Sequence, residues 1–434
     1  MGAGLSGLVA ARELSRGGAD VIVLEARERL GGRVWTIRSD AFDGSPLEAG
    51  GEFIDGEHAA IRRLARDLNL DVVRVVRGGF GLALERNGRV RVHGSQRSIW
   101  RDFKRALSKD AAAFKDVDCD WGSSIAAAIA GRSLDELLKL RGATADVLAM
   151  ARALRGFFLA DSDQLSALIG VELSMEDANP SHVPRFRISG GNDQLVVGLT
   201  RGTDMKLLGR HAVRGVRQAA EQVQVLVESP DGAIDHAFAD YAVITVPPPV
   251  LLTWEFDPAL PDDQRRAFAA LSYGGATKAF VRFAAPWWRR ANRPRAFGTN
   301  LPTGAVWEAT QRASEPSVLT LLAGGGASAE LQDLLTREGI GGVIARLNWL
   351  GAPAHIDASE EICWDRDPWS RGGYAFFSPA FHPAWRSALG RAFGRVIFAG
   401  DHTSREWQGY MNGAVESGQR AAKELIALET LRRS

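Results

Sequence analysis

Cysteine is nearly absent from this chain. Cys119 and Cys363 are the two present in 434 residues, far apart and without C-x-x-C spacing. That excludes a disulfide framework and a thiolate zinc site, and points to a reducing, cytoplasmic compartment. The eight histidines show neither H-x-x-x-H nor H-E-x-x-H spacing, so no metal is expected. A G-x-S-x-G elbow and a Walker loop are missing too, which removes the common serine-hydrolase and P-loop readings. No run approaches the roughly 20 apolar residues that span a bilayer, and no signal-peptide pattern opens the chain, so a soluble protein is expected. Lys plus Arg number 53 against 52 Asp plus Glu, a net charge of +1. Nucleic acid and acidic membrane surfaces therefore find no global field to attract them. The Arg-rich run from Trp287 to Arg295 reads as a local solvated face.

The remainder is a globular composition, 45% hydrophobic and 24% charged, in a chain long enough for two domains. Its organising stretch is Val396 to Ala422. Val396 to Phe398 is a short apolar run suited to a strand buried on both faces of a parallel sheet. Gly400 and Asp401 follow at the strand's carboxyl end, where doubly wound sheets bind ligands and one carboxylate can accept from a sugar hydroxyl. A helix starting near Tyr410 repeats Gly413, Ala414, Val415, Gly418 and Ala421 at helical spacing. Its N-terminus favours an anion.

At the other end, Gly2, Gly4 and Gly7 stand in G-x-G-x-x-G spacing before a helix that stops at Gly17-Gly18. Asp20 to Leu24 reads as a buried strand, and Glu25 lies about 20 residues beyond the glycines, in reach of ribose hydroxyls. Together these indicate a dinucleotide whose pyrophosphate rests on the helix N-terminus. Only Met1 precedes Gly2, so the strand that normally feeds such a loop is expected to be missing. Losing four buried aliphatic side chains at roughly 1.5–3 kcal/mol each would weaken this half of the fold and its hold on a cofactor.

These stretches resemble the flavin-dependent amine oxidases, a family that includes monoamine, polyamine and L-amino-acid oxidases. The resemblance extends in order through EARERLGGR from Glu25, LEAGGEFIDG from Leu47, RFRISGG from Arg185, ATKAF from Ala276 and ICWDRDPWSRGGYAFF from Ile362. It implies an α/β architecture: a Rossmann-like, doubly wound FAD domain, discontinuous over 1–75, 186–248 and 385–434. An interleaved α+β substrate domain takes 76–185 and 249–384. Residues Val76 to Arg185 read as largely helical, with helices at Ser98 to Phe114, Ser133 to Leu140 and Ala143 to Phe157. Gln222 to Glu228 and Ile234 to Tyr241 read as a hairpin turning at Pro230-Asp231-Gly232, and Tyr241 to Val246 as a strand ending at three prolines.

The resemblance also assigns roles. Gly2, Gly4, Ser6, Gly7, Glu25, Ala26, Arg27, Gly32, Arg33, Gly50, Gly51, Val213, Gly400, Asp401 and Met411 are implied to hold FAD. Arg33 can instead form a surface pair with Glu28. Lys278 sits in an apolar strand, where a buried lysine should have a partner or a lowered pKa. The resemblance implies that it holds a water against the flavin, whereas without it a snorkelling edge-strand lysine is the better reading. Trp364, Tyr374 and Tyr410 are implied to form an aromatic cage, against the alternative of plain core packing. Asp55 could attract an ammonium or simply cap its loop before Gly56. Phe157 and Leu168 are candidates for the cavity wall, and His402 reads as structural.

Glu52-Phe53 stands where amino-acid oxidases carry a Met-Arg carboxylate clamp. Gly373 stands where some monoamine oxidases carry a flavin-linking cysteine, so noncovalent FAD is expected. The C-terminal stretch ELIALETLRRS does not resemble the tail helix that anchors mitochondrial monoamine oxidases, so a soluble enzyme is expected. The implied activity is oxidation of a monoamine or diamine to an imine, with O2 reduced to H2O2. The alternatives are a polyamine or L-amino-acid oxidase, a dehydrogenase-like flavoenzyme that avoids oxygen, and a flavoprotein impaired by its missing strand. A homodimer stays open.

Overall fold

The computed structural model describes residues 1–93, 97–176, 183–291, 293–309 and 316–433. Two parallel strand pairs form the floor of the dinucleotide fold: Ile22–Leu24 with Lys206–Leu208, and Ala242–Ile244 with Val396–Phe398. Val396, Ile397 and Phe398 are each at most 1% exposed, as an all-apolar run buried on both faces requires. Met1 and Gly2 lie between the two pairs. The Gly2 amide donates to the Leu24 carbonyl at 2.8 Å, and the Thr245 amide donates to the Met1 carbonyl at 3.0 Å. Where a full central strand is usual, two residues bridge two two-stranded sheets.

Helix Leu5–Arg16 rises from the glycine loop. A Cβ on Gly7 would lie 2.0 Å from the Gly2 carbonyl oxygen, so the loop closes only around glycine there. The helix packs along the C-terminal helix Met411–Arg433. The hydroxyls of Ser6 and Ser417 meet between them at 3.0 Å, and Ser417 Oγ also accepts from the Gly400 amide at 3.0 Å. Both ends of the chain are thereby fixed beside the carboxyl ends of the parallel strands.

A seven-stranded sheet forms the second half. Its order is Ile356–Cys363, Ala276–Phe283, Ser317–Gly324, Ala305–Glu308, Ala296–Thr299, Gly81–Arg86 and Arg89–His93. Lys278 thus sits on an interior strand, flanked on both sides, not on an edge. The hairpin Gly81–Arg86/Arg89–His93 lies inside the region expected to be largely helical. It turns at Asn87-Gly88, both with positive φ (53° and 75°), the pairing that favours a tight two-residue hairpin.

Helices Arg97–Lys115, Ser124–Ala130, Leu134–Leu140, Ala145–Ala153, Arg155–Phe158 and Ala167–Met175 pack against this sheet around a core that includes Phe103, Leu107, Met150 and Val171. The expected helix from Ala143 to Phe157 is broken at Leu154. Just beyond the break Arg155 is held by Asp161, by Glu330 and by the Asn300 carbonyl. The hairpin Val223–Glu228/Ile234–Ala239 forms as expected. No helix among the described residues is long and apolar enough to cross a membrane.

Candidate active site

One cavity of about 850 Å³ joins the two halves, toward the upper end of the roughly 300–1,000 Å³ usual for ligand pockets. Of the residues expected to serve a site, all except Gly7 and Leu168 line it.

Its first end is the glycine loop. No side chain caps helix Leu5–Arg16 at Gly4, and a Cβ there would meet nothing within 4 Å, so the helix start is open to the cavity. Glu25, at the end of Ile22–Leu24, accepts from the Ala3 amide at 2.8 Å and the Arg27 amide at 2.9 Å. Each carboxylate oxygen keeps a second lone pair for a hydroxyl. Arg27 donates to Asp367 and to Ser370 Oγ. Arg33 donates to Asp401 at 2.5 Å and to the Gly373 carbonyl at 2.9 Å, not to Glu28. An uncapped helix N-terminus, a ribose-distance carboxylate and two guanidinium groups suit a dinucleotide diphosphate, and the residues present therefore fit FAD.

The middle of the cavity is built on a buried charge network. Lys278 Nζ lies 2.6 Å from Glu52 Oε2, with side chains 3% and 4% exposed. It also donates to the Glu48 carbonyl at 2.5 Å and lies 3.4 Å from the Gly50 carbonyl. The other oxygen of Glu52 accepts from Arg187 at 3.0 Å and from Trp307 Nε1 at 2.9 Å. Gly50 is required where this network meets the cofactor end: a Cβ there would lie 1.9 Å from the Arg33 carbonyl oxygen. Glu48 accepts from the Asn192 amide and from Thr36 Oγ1. Burial pushes its carboxyl up to about 7. Trp364 is buried and donates to the Ala49 carbonyl at 2.9 Å.

Tyr374 and Tyr410 stand at the far end, on different elements. The Tyr374 hydroxyl donates to the Phe157 carbonyl, and burial raises its phenol well above the ordinary value. Tyr410 is enclosed by the cavity walls yet keeps 46% of its surface uncovered. Burial pushes its phenol up to about 12. Its ring is 5.0 Å from that of His58 and 5.9 Å from that of Trp407. His58 Nδ1 accepts from the Asp55 amide at 2.9 Å, and burial lowers this histidine to about 4, so the ring is neutral. Asp55 pairs with Arg185 at 3.7 Å, and burial raises its carboxyl. Glu57, Glu172 and Glu176 line the same end.

Leu168 corrects the sequence reading. It is fully buried in the helical core, while Ile169, Glu172, Leu173 and Glu176 of the same stretch face the cavity. That is the same helix read one position out of phase. Glu52, Arg187, Trp307, Arg185 and His58 belong to the site although the sequence reading assigns them no role in it. For Glu52 the one signal is indirect: a lysine inside an apolar strand calls for a partner or a lowered pKa. His402 is buried, beside Phe268, and burial lowers it to about 4. Among the described residues no His, Cys, Asp and Glu cluster could hold a metal ion.

A dinucleotide fold carrying a buried lysine and an aromatic chamber in one cavity defines a flavoprotein oxidoreductase. The model of the flavin containing amine oxidoreductase family matches residues 5–426, and the chain belongs to that family, whose members bind FAD and oxidise amines with oxygen. Protein AofH of Mycobacterium tuberculosis, provisionally named a flavin-containing monoamine oxidase, is 27% identical over 99% of this chain and 96% of its own. Cyclohexylamine oxidase of Brevibacterium oxydans IH-35A shares the fold with a TM-score of 0.87, 24% identity and coverage of 99% and 98%. Wild-type putrescine oxidase bound to putrescine does so at 0.83, with 22% identity and 98% of both chains covered.

Proposed function

We propose that this chain oxidises a monoamine or diamine at noncovalently held FAD. The observation that carries this reading is the placement of Lys278, Tyr374 and Tyr410 in the wall of the cavity that also receives the glycine loop. When bound, FAD supplies the acceptor for the hydride equivalent leaving the carbon beside nitrogen and passes two electrons to O2. The imine then takes up water and yields an aldehyde or ketone with ammonia or an amine. Lys278 holds a water at the reacting face, Trp364 packs the wall beside it, and Tyr374 and Tyr410 flank the amine. The apolar wall from Phe80 and Phe157 excludes water. Asp55 and the glutamates around it favour a cationic approaching substrate. Cyclohexylamine oxidase and putrescine oxidase act, by name, on a monoamine and a diamine, so the shared fold admits both.

Noncovalent binding is supported by Gly373 in the cavity wall and by Cys119 and Cys363 both lying outside it. The two free thiols also support a reducing, cytoplasmic setting. Strand pairing supports a discontinuous FAD domain. Segments 1–75, 186–248 and 385–434 are joined by the two parallel pairs, and 76–185 is joined to 249–384 by Gly81–Arg86 beside Ala296–Thr299. Strand Arg185–Ile188 pairs with Ile54–Asp55 and Val72–Val75, so the boundary is better drawn before Arg185.

A second reading, an amino-acid substrate, is favoured by Arg185 in the wall near Tyr410. A peroxide-coupled assay of the FAD-loaded protein with benzylamine, tyramine, putrescine, spermidine and L-amino acids tests both. Peroxide from a simple amine or diamine is expected. Peroxide from an amino acid alone would select the second reading.

A further inference from the structure

The strand that carries Lys278 could let its four-carbon stem sample several rotamers, yet the ammonium meets three oxygens in one geometry. Two of its N–H groups are committed at short range, to the Glu48 carbonyl and to Glu52 Oε2. The Gly50 carbonyl accepts from the third at 3.4 Å, the longest and weakest of the three contacts. Glu52 in turn cannot follow Lys278 if it moves, because Arg187 and Trp307 grip its other oxygen from two further strands.

We propose that Glu52 is the positioning residue for Lys278: it fixes the ammonium so that the third N–H is presented to the cavity. This rests on the reading of Lys278 given above. Glu52 lines the cavity, but its two oxygens are engaged by Lys278, Arg187 and Trp307, so it acts through the lysine. The carboxylate is needed because its two oxygens separate the tasks, one for Lys278 and one for Arg187 and Trp307. In Glu52→Gln the amide oxygen stays with the two fixed donors, and the amide NH2 then faces the ammonium, donor against donor, at unchanged volume.

The test compares wild type, Glu52→Gln, Lys278→Met and the double variant, all loaded with FAD. The visible spectrum of the bound flavin is recorded across pH, and amine reduction and reoxidation by O2 are timed separately by stopped flow. Glu52→Gln is expected to slow the same half-reaction as Lys278→Met, by about 10- to 100-fold, and to shift the spectrum in the same way. In the Lys278→Met background it should add less than about 2-fold. A Glu52→Gln variant that behaves as wild type while Lys278→Met is slow overturns the proposal and leaves the lysine reading intact. A Lys278→Met variant unchanged in both half-reactions and in spectrum overturns the lysine reading, and the proposal with it. Should Glu52→Gln fail to retain FAD, acylation of Lys278 by acetic anhydride is followed by mass spectrometry in the flavin-free proteins. Faster labelling than wild type is expected, and equal rates overturn the proposal.

Discussion

Lys278 and Glu52 are 226 positions apart in sequence and 2.6 Å apart in space, both nearly inaccessible to solvent. The pair lies in the cavity wall beside Gly50 and Gly51. Replacing the lysine leaves Glu52 still served by Arg187 and Trp307, so stability and function separate. Lys278→Met should lose about 1–3 kcal/mol in urea unfolding, while turnover with amine falls at least about 10-fold. Full turnover in a well-folded Lys278→Met protein would remove the lysine from the chemistry.

Arg187 tests the network from the other side. Its guanidinium is 1% exposed and joins Glu52 to the Ala309 carbonyl. Arg187→Ala removes that cation from a buried carboxylate and should cost about 3–5 kcal/mol. Arg337, on the surface beside Asp333, should cost less than about 1 kcal/mol when replaced by alanine. Urea midpoints of the two variants within experimental error of each other would contradict this.

Glu48 gives a pH dependence. Burial raises its carboxyl from an ordinary 4.5 to about 7, so the folded protein holds a proton that the unfolded chain releases. Its contribution is fully present below the unfolded value and is lost as pH rises through about 7. Stability should fall by up to about 3 kcal/mol between pH 4.5 and 8 from this group. Glu48→Gln should remove that part of the slope, as read from denaturation midpoints across pH.

Gly7→Ala places a Cβ 2.0 Å from the Gly2 oxygen. The phosphate loop must open, and the flavin-to-protein absorbance ratio of the purified variant should drop to near zero. Gly341→Ala, two residues beyond the break at Gly339 in Gly326–Ala345 and with nothing within 4 Å, should leave that ratio unchanged.

The features legible in sequence were those encoded locally. The glycine loop, Glu25 and the apolar run Val396–Phe398 declare their structure within a few residues, and each folds as the spacing predicts. The hairpin at Asn87-Gly88 is equally local, but it lies in a stretch otherwise rich in helical pattern. Leu168 shows the limit of periodicity. The helix exists, but which of its faces meets a cavity depends on elements elsewhere in the chain. The partners of Glu52 come from positions 187, 278 and 307, and no spacing rule joins residues on separate strands. A lysine in an apolar strand calls for a partner or a lowered pKa, and the sequence does not indicate which residue would be the partner.

The most direct measurement is the visible spectrum of the FAD-loaded protein, recorded anaerobically with benzylamine, tyramine, putrescine or spermidine and again after admitting air. The account predicts bleaching by a monoamine or diamine, with colour and hydrogen peroxide appearing together on reoxidation. A bound flavin that no amine bleaches would contradict it.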